Sequence, residues 1–377
     1  MKQMIEGSRA VALAVKTCRP GVVSAYPITP QTHIVEDLAR FKADGEGDYE
    51  YIRAESEITA ASVVLGSSIG GVRSYTATSS QGLLLMTEVL FNIAGMRAPV
   101  VMTVANRAIG APINIWNDQQ DSLVVRDSGW IMQYAEDNQE ALDLHIQAFK
   151  LAEKIKLPVM INMDGFVLTH TYENVDLPTQ VEVDKFLPKY KPEPGFYVDP
   201  KKPASFGYFA TPVTYMEQRE ELFTDLAKSK NIITKIAAEF SKKFKRQQGD
   251  GLVEYIGSGK EKVVLVSFGS TLGTLREAQK TGNFGILKIK TFRPFPAEEV
   301  VKYLKKAKYV AIVEKDISLG SEGVLASEIK AACYNKTKAK LQSFIVGLGG
   351  KDITVKLINN INKEVQLKSA ETKWMYL

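Results

Sequence analysis

Along the first 170 residues the hydrophobic positions switch between two periods. Short runs predict strands: GVVSAY (21–26) and LPVMINMDG (157–165), both buried, the apolar APVVMTVAN (98–106), and YEYIRA (49–54) and VRSYTAT (72–78). Between them, apolar residues recur every three or four positions, which predicts helices over 7–18, 29–41, 56–71, 83–96 and 140–154. Thr29 stands at an N-cap position with Pro30 after it, Ser56 stands at another, and Gly95 suits a helix C-terminus. Strands buried on both faces and alternating with helices define an α/β fold with a doubly wound, mostly parallel sheet.

The pattern then breaks. Of the 15 prolines, seven fall between Pro178 and Pro212. LPKYKPEPGFYVDPKKP (187–203) fits neither a helix nor a central strand, so an extended strap over the first domain or a partner is expected. A long amphipathic helix over about 215–246 follows, and KFKRQQGDG (243–251) reads as a domain boundary. Alternation resumes with strands over 262–269, 284–291, 308–314 and 341–347 and helices near 272–280, 297–305 and 322–333. The expectation is a domain over 1–250, which includes strap and long helix, and a smaller α/β domain over 255–377. No repeat relates the two.

Composition narrows the function. Apolar residues make up 45% and charged residues 24%, as in globular proteins, and no apolar window reaches the length of a membrane span. The segment MKQMIEGSRA lacks the apolar core of a signal peptide. Cys18 and Cys333 are too few for a four-thiolate cluster or a disulfide framework, so a reducing cytoplasm is expected. The net charge of +5 is small for this length. Lysines crowd 228–262 and 300–308 at helical spacing without interleaved aromatics, a solvated face rather than a nucleic-acid groove. His33, His145 and His170 lack metal-ligand spacing, and no metal site is expected on this chain. No P-loop or dinucleotide fingerprint occurs, and GDG (249–251) follows a charged helix, KKFKRQQ, rather than the apolar strand a diphosphate–magnesium motif requires.

In open α/β sheets ligands bind outside the carboxyl ends of the strands. There the chain carries PITP after 21–26, Glu55-Ser56-Glu57 after 49–54, Ser79-Ser80-Gln81-Gly82 after 72–78, Arg107 after 98–106 and Asp164-Gly165 after 157–163. Glu57, in the first turn of a helix, either offsets the macrodipole or turns a carboxylate into a dry pocket. Arg107 either pairs with Asp118 or Asp121 or clamps a carboxylate ligand. Thr29 either caps its helix or offers a hydroxyl to an anion, in a loop stiffened by Pro27 and Pro30.

Several blocks together resemble a known family: AYPITPQT (25–32), AESEITAAS (54–62), RSYTATSSQGLLLMTEVLFNIAGMRAPVVM (73–102), NRAIGAPINIWNDQQDSLVVRDSGW (106–130), EDNQEALDLHIQAFKLAE (136–153), MDGFVLTH (163–170), TFRPFP (291–296) and VEKDISLG (313–320). In collinear order over nearly the whole chain, they resemble the α subunit of 2-oxoacid:ferredoxin oxidoreductases, most closely the pyruvate enzymes. The resemblance implies a thiamine diphosphate pyrimidine-binding domain followed by a transketolase C-terminal-like domain. It implies thiamine diphosphate shared with a β subunit that carries the diphosphate-binding domain, and Mg2+ and [4Fe-4S] clusters on partner subunits. It also implies γ and δ ferredoxin-like subunits, ferredoxin as acceptor and coenzyme A as co-substrate.

By the same resemblance Glu57, with Glu55 the near alternative, meets N1′ of the cofactor's aminopyrimidine. Pro27 and Ile28 line the cofactor, Arg107 binds the oxoacid carboxylate, and Thr29 binds a carboxylate or keto oxygen. The implied reaction is oxidative decarboxylation of pyruvate to acetyl-CoA and CO2, reversible, in a cytoplasmic hetero-oligomer that binds neither nucleic acid nor membrane. Branched substrates such as 2-oxoisovalerate are the alternative within the family, and a non-catalytic scaffold subunit is the alternative outside it.

Overall fold

The computed structural model describes residues 2–246, 249–367 and 371–376. The chain begins with β1 (Lys2–Glu6) and α1 (Gly7–Thr17). It continues through β2 (Val22–Ala25), α2 (Thr32–Ala43), β3 (Glu50–Arg53), α3 (Glu57–Ile69), β4 (Ser74–Thr78), α4 (Ser80–Leu85), α5 (Thr87–Gly95), β5 (Val101–Asn106), α6 (Gln120–Val124), β6 (Ile131–Tyr134), α7 (Asn138–Ile155) and β7 (Val159–Asp164). β8 (Tyr172–Asp176), α8 (Gln180–Phe186) and the long α9 (Tyr215–Phe244) come next. The remainder is β9 (Val253–Ile256), β10 (Val263–Ser267), α10 (Thr271–Gln279), β11 (Gly285–Ile289), β12 (Thr291–Arg293), α11 (Ala297–Leu304), β13 (Tyr309–Glu314), α12 (Val324–Cys333), β14 (Lys340–Ile345), α13 (Val355–Glu364) and β15 (Lys373–Trp374).

The main sheet has the order β12-β6-β7-β5-β4-β2-β3, parallel except for β12. Every residue of β4, β5, β6 and β7 is buried. That is why their sequences are apolar throughout instead of alternating. α1, α2 and α7 pack together as one helical layer, and α3, α4 and α5 as another. After β2 the chain moves outward to β3, then crosses through α3 to β4 on the other side. The carboxyl ends of β2 and β4 therefore flank a topological switch point, the position where such sheets open a crevice.

The second sheet has the order β15-β14-β13-β10-β11-β9, with β9 antiparallel at one edge. The run 284–291 divides between the sheets, β11 in the second and β12 in the first. Lys290 sits at that crossing, buried, 2.7 Å from Glu140 on α7. Lys288, two residues earlier and on the same side, lies 2.8 Å from both Glu140 and Glu136. Burial raises the Glu140 pKa, but Lys288 and Lys290 outweigh it and hold the carboxyl down to about 2. Arg276 extends the network to Glu136 and Glu254. The expected boundary over 243–251 includes residues 247 and 248, which lie outside the described residues.

The proline-rich segment is irregular, as its composition requires, and lies against the first sheet's helices. Val198 N–H donates to Ile69 O at 2.8 Å, and Arg73 donates to Pro188 O at 2.9 Å. Among the described residues no helix is long and apolar enough to cross a membrane.

His145 belongs to the core. Its Nδ1 lies 2.6 Å from Ala141 O, so it must donate there, and its Nε2 accepts from Thr103 Oγ1 at 2.5 Å. Tyr75 completes the chain at 2.6 Å from Thr103. Burial pushes the His145 pKa down to about 4. The folded state therefore binds fewer protons than the unfolded state between pH 6.5 and 4, and stability falls as pH drops through that window. At 1.36 kcal/mol per unit the loss is about 3 kcal/mol. His145→Gln is expected to flatten the decline, measured by denaturant unfolding of both proteins at intervals from pH 7 to pH 4. Equal slopes for the two would show that His145 does not set it.

Candidate active site

The loop after β2 is built around Gln31. This buried side chain donates to Ala77 O at 2.8 Å and accepts from Ile28 N–H at 3.3 Å, while Gln31 N–H closes a turn onto Ile28 O at 2.8 Å. α2 consequently starts at Thr32, and Thr29 does not cap it. Thr29 is exposed, and its carbonyl accepts from Arg107 Nη1 at 2.9 Å. Pro27 and Ile28 are half-buried beside it.

Arg107 follows β5 and is itself only 7% exposed. Nε donates to Asn114 O at 3.1 Å, so two carbonyls orient the guanidinium. No carboxylate pairs with that guanidinium among the described residues. Neither Asp118 nor Asp121 fills that role: Asp121 takes the Arg107 backbone N–H at 3.0 Å. Burial holds the Arg107 pKa below the usual arginine value, with the Asp121 charge opposing. A buried cation whose nearest partners are neutral carbonyls still lacks a counter-anion.

Asp121 instead organises the strand ends. Its oxygens accept from Asn106 Nδ2 (2.8 Å), Ser122 N (2.8 Å), Ser80 N (2.9 Å) and Arg107 N (3.0 Å). Burial pushes its pKa up to about 7 against those donors. Ser80 is held at φ 47°, in the left-handed region that non-glycine residues avoid. Its hydroxyl donates 2.5 Å to Ala108 O, so hydrogen bonds on both sides fix the strained turn at the start of α4.

Glu57 opens α3, with Ser56 as N-cap accepting from Thr59 N–H. Glu57 is 7% exposed, whereas Glu55 is exposed and accepts from Thr59 Oγ1 at 2.6 Å. The Glu57 carboxylate lies across Gly82 of α4. A Cβ on Gly82 would stand 2.6 Å from Glu57 Oε1 and from Thr78 Oγ1. Thr78 Oγ1 is buried without a hydrogen-bond partner, and none of the described residues donates a hydrogen bond to the Glu57 carboxylate. Gly82 is what lets the Glu57 carboxylate and the Thr78 hydroxyl lie so close to α4, and it leaves that carboxylate without a hydrogen-bond donor among the described residues.

Asp164, at the end of β7, is not available to a ligand. Lys315 Nζ lies 2.6 Å from it, Gln119 and Ser270 also donate to it, and it is buried between the two sheets. His33 and His170, far apart in sequence, come together with Glu6, which the spacing of the histidines did not indicate. Gln31 and Thr78 were also missed as site residues, while Gly82 was noted only on the polar rim and Asp121 only as a possible partner of Arg107. None of the four carries a periodic signal that would single it out.

The fold is that of an α/β protein with an acid free of hydrogen-bonded partners and an unpaired guanidinium at the carboxyl ends of its main-sheet strands. Comparison with known proteins specifies the class. Residues 13–238 match the family description "Pyruvate flavodoxin/ferredoxin oxidoreductase, thiamine diP-bdg", and residues 262–358 match "Pyruvate:ferredoxin oxidoreductase core domain II". The chain belongs to this family of 2-oxoacid oxidoreductases. It is 47% identical to the pyruvate synthase subunit PorA of Methanocaldococcus jannaschii, over 100% of this chain and 98% of that protein. It is 40% identical to the ketoisovalerate oxidoreductase subunit VorA of Pyrococcus abyssi, over 100% and 94%. A solved 2-oxoglutarate:ferredoxin oxidoreductase from Magnetococcus marinus has the same fold, with a TM-score of 0.75 at 21% identity. The match covers 97% of this chain and 65% of the other.

Proposed function

We propose that this chain is the α subunit of a pyruvate:ferredoxin oxidoreductase that decarboxylates pyruvate, passes the acetyl group to coenzyme A and delivers the electrons to ferredoxin. The observation that carries the substrate assignment is Arg107: a buried guanidinium, oriented by two carbonyls and lacking a carboxylate. A 2-oxoacid supplies that carboxylate in bidentate geometry. Thr29, joined to Arg107 through its own carbonyl, offers its hydroxyl to the same end of the substrate.

The cofactor reading rests on Glu57, Thr78 and Gly82. Thiamine diphosphate, when bound, supplies the nucleophilic carbon that attacks the keto group and the electron sink for loss of CO2. Glu57, free of hydrogen-bonded partners among the described residues, would hold its pyrimidine nitrogen. Pro27 and Ile28 would form the adjacent wall. The iron–sulfur clusters would fall to partner subunits, since Cys18 and Cys333 are both buried and cannot furnish four thiolates, and the diphosphate with its Mg2+ would be held by the β subunit. Ile113, at 82% exposure, and Trp116 stand on the loop that holds Arg107, an apolar surface for the subunit that closes the crevice.

Gly82→Ala tests the cradle. The added methyl must displace the Glu57 carboxylate, and turnover is expected to fall about 100-fold, the usual cost of a catalytic group misplaced by an ångström. Wild-type turnover in a folded Gly82→Ala complex would refute the arrangement. For the substrate, the purified complex is offered a panel of oxoacids with a viologen acceptor. Pyruvate should give the highest kcat/KM. The 40% identity to a ketoisovalerate subunit favours 2-oxoisovalerate as the second reading, and preference for the branched acid would select it.

A further inference from the structure

We propose that Glu6, His33 and His170 form a binding site for a divalent transition-metal ion of the zinc type, outside the catalytic crevice. The residues come from three places: the end of β1, the first turn of α2, and the turn after β7. One ligand atom from each lies within 4.8 Å of the other two. His33 Nδ1 is 2.7 Å from Glu6 Oε1, and the two imidazole rings have their centroids 4.6 Å apart. Four-coordinate zinc with bonds of about 2.0–2.1 Å separates its ligand atoms by roughly 3.3 Å. The observed separations bracket that value, so rotation of the side chains closes the site without moving the backbone.

The surroundings prepare the imidazoles as ligands. Thr169 Oγ1 accepts the Phe166 N–H at 2.7 Å and lies 2.7 Å from His170 Nδ1. With Nδ1–H donating to that oxygen, Nε2 carries the free lone pair, the arrangement by which an outer residue fixes a ligating histidine. Two imidazoles and one carboxylate select zinc, cobalt or nickel over magnesium or calcium. Glu6 and His170 are half-buried and His33 is exposed, so water can fill the remaining positions.

The site is placed to stiffen the support of the catalytic loop. His33 lies three residues after Pro30, and Gly165 of the turn leading to His170 is so close to Pro30 that a Cβ there would sit 2.5 Å from Pro30 Cγ. A bound ion would tie β1, α2 and this turn together without touching substrate.

The test uses the chelator-treated full chain, with Co2+ as the spectroscopic probe and Zn2+ in competition. One equivalent should bind, with the visible bands of four- or five-coordinate cobalt, and zinc should raise the thermal midpoint. His33→Ala and His170→Ala should each weaken binding at least 100-fold, and Thr169→Val by roughly 10- to 100-fold with unchanged stoichiometry. His145→Gln should bind as wild type. Because the His33 side chain is 46% exposed, its variant should fold, which a melt matching metal-free wild type would verify. Undiminished binding in the His33 and His170 variants, or no cobalt bands and no zinc-dependent shift in the wild type, would overturn the proposal.

Discussion

Glu57→Gln is expected to lower turnover by about 100- to 10,000-fold, the range a positioned proton-transfer group contributes, while the subunits still assemble. Glutamine keeps the size, so packing over Gly82 beside Thr78 is preserved. What it loses is the negative charge, and with it the ability to hold or share a proton on a ring nitrogen. The comparison variant is Glu55→Gln. That carboxylate is exposed and already engaged by Thr59, so its replacement should leave turnover within a fewfold of wild type. Rates measured by viologen reduction, with assembly checked by size exclusion, separate the two acids. Wild-type turnover in Glu57→Gln, or the large loss appearing in Glu55→Gln instead, would remove Glu57 from the chemistry.

The main sheet was legible because its central strands are buried on both faces, and apolar runs such as that of β5 are a local signal. Once those strands are read, the switch-point rule draws attention to Thr29, Glu57 and Arg107 without knowledge of tertiary contacts. What resisted reading depends on pairing between distant residues. Thr29 resembles an N-cap in sequence, but the buried Gln31 amide bonds to Ala77 on another strand and moves the helix start to Thr32. Asp121 and Arg107 are close in sequence and opposite in charge, so an ion pair was a reasonable expectation. The acid is instead consumed by backbone N–H groups and an asparagine, leaving the guanidinium unpaired. β12 and the Lys288–Lys290 crossing were hidden because alternating lysines look like a solvated strand face. Here Glu140 on α7 and Glu136 just before it await them. The Glu6–His33–His170 cluster joins three separate segments and leaves no spacing to find.

That unpaired guanidinium yields the second large effect. Arg107→Ala should reduce kcat/KM for pyruvate by roughly 100- to 1,000-fold, since losing a buried, charge-assisted partner costs about 2–5 kcal/mol. The loss should fall mainly on KM, because the guanidinium holds the carboxylate of the bound oxoacid, whose charge fades as it leaves as CO2. Alanine also removes the bond to the Thr29 carbonyl, so a loosened loop could raise KM indirectly. Arg107→Lys distinguishes these causes: it restores charge but not the planar fork, and should recover part of the affinity without reaching wild type. Affinity for thiamine diphosphate, measured by equilibrium dialysis of the complex, should be nearly unchanged in both variants, because Glu57, Thr78 and Gly82 do not depend on the guanidinium. An unaltered KM in Arg107→Ala would show that the substrate carboxylate is held elsewhere. A parallel loss of cofactor would mean that Arg107 supports the whole crevice rather than one end of the oxoacid.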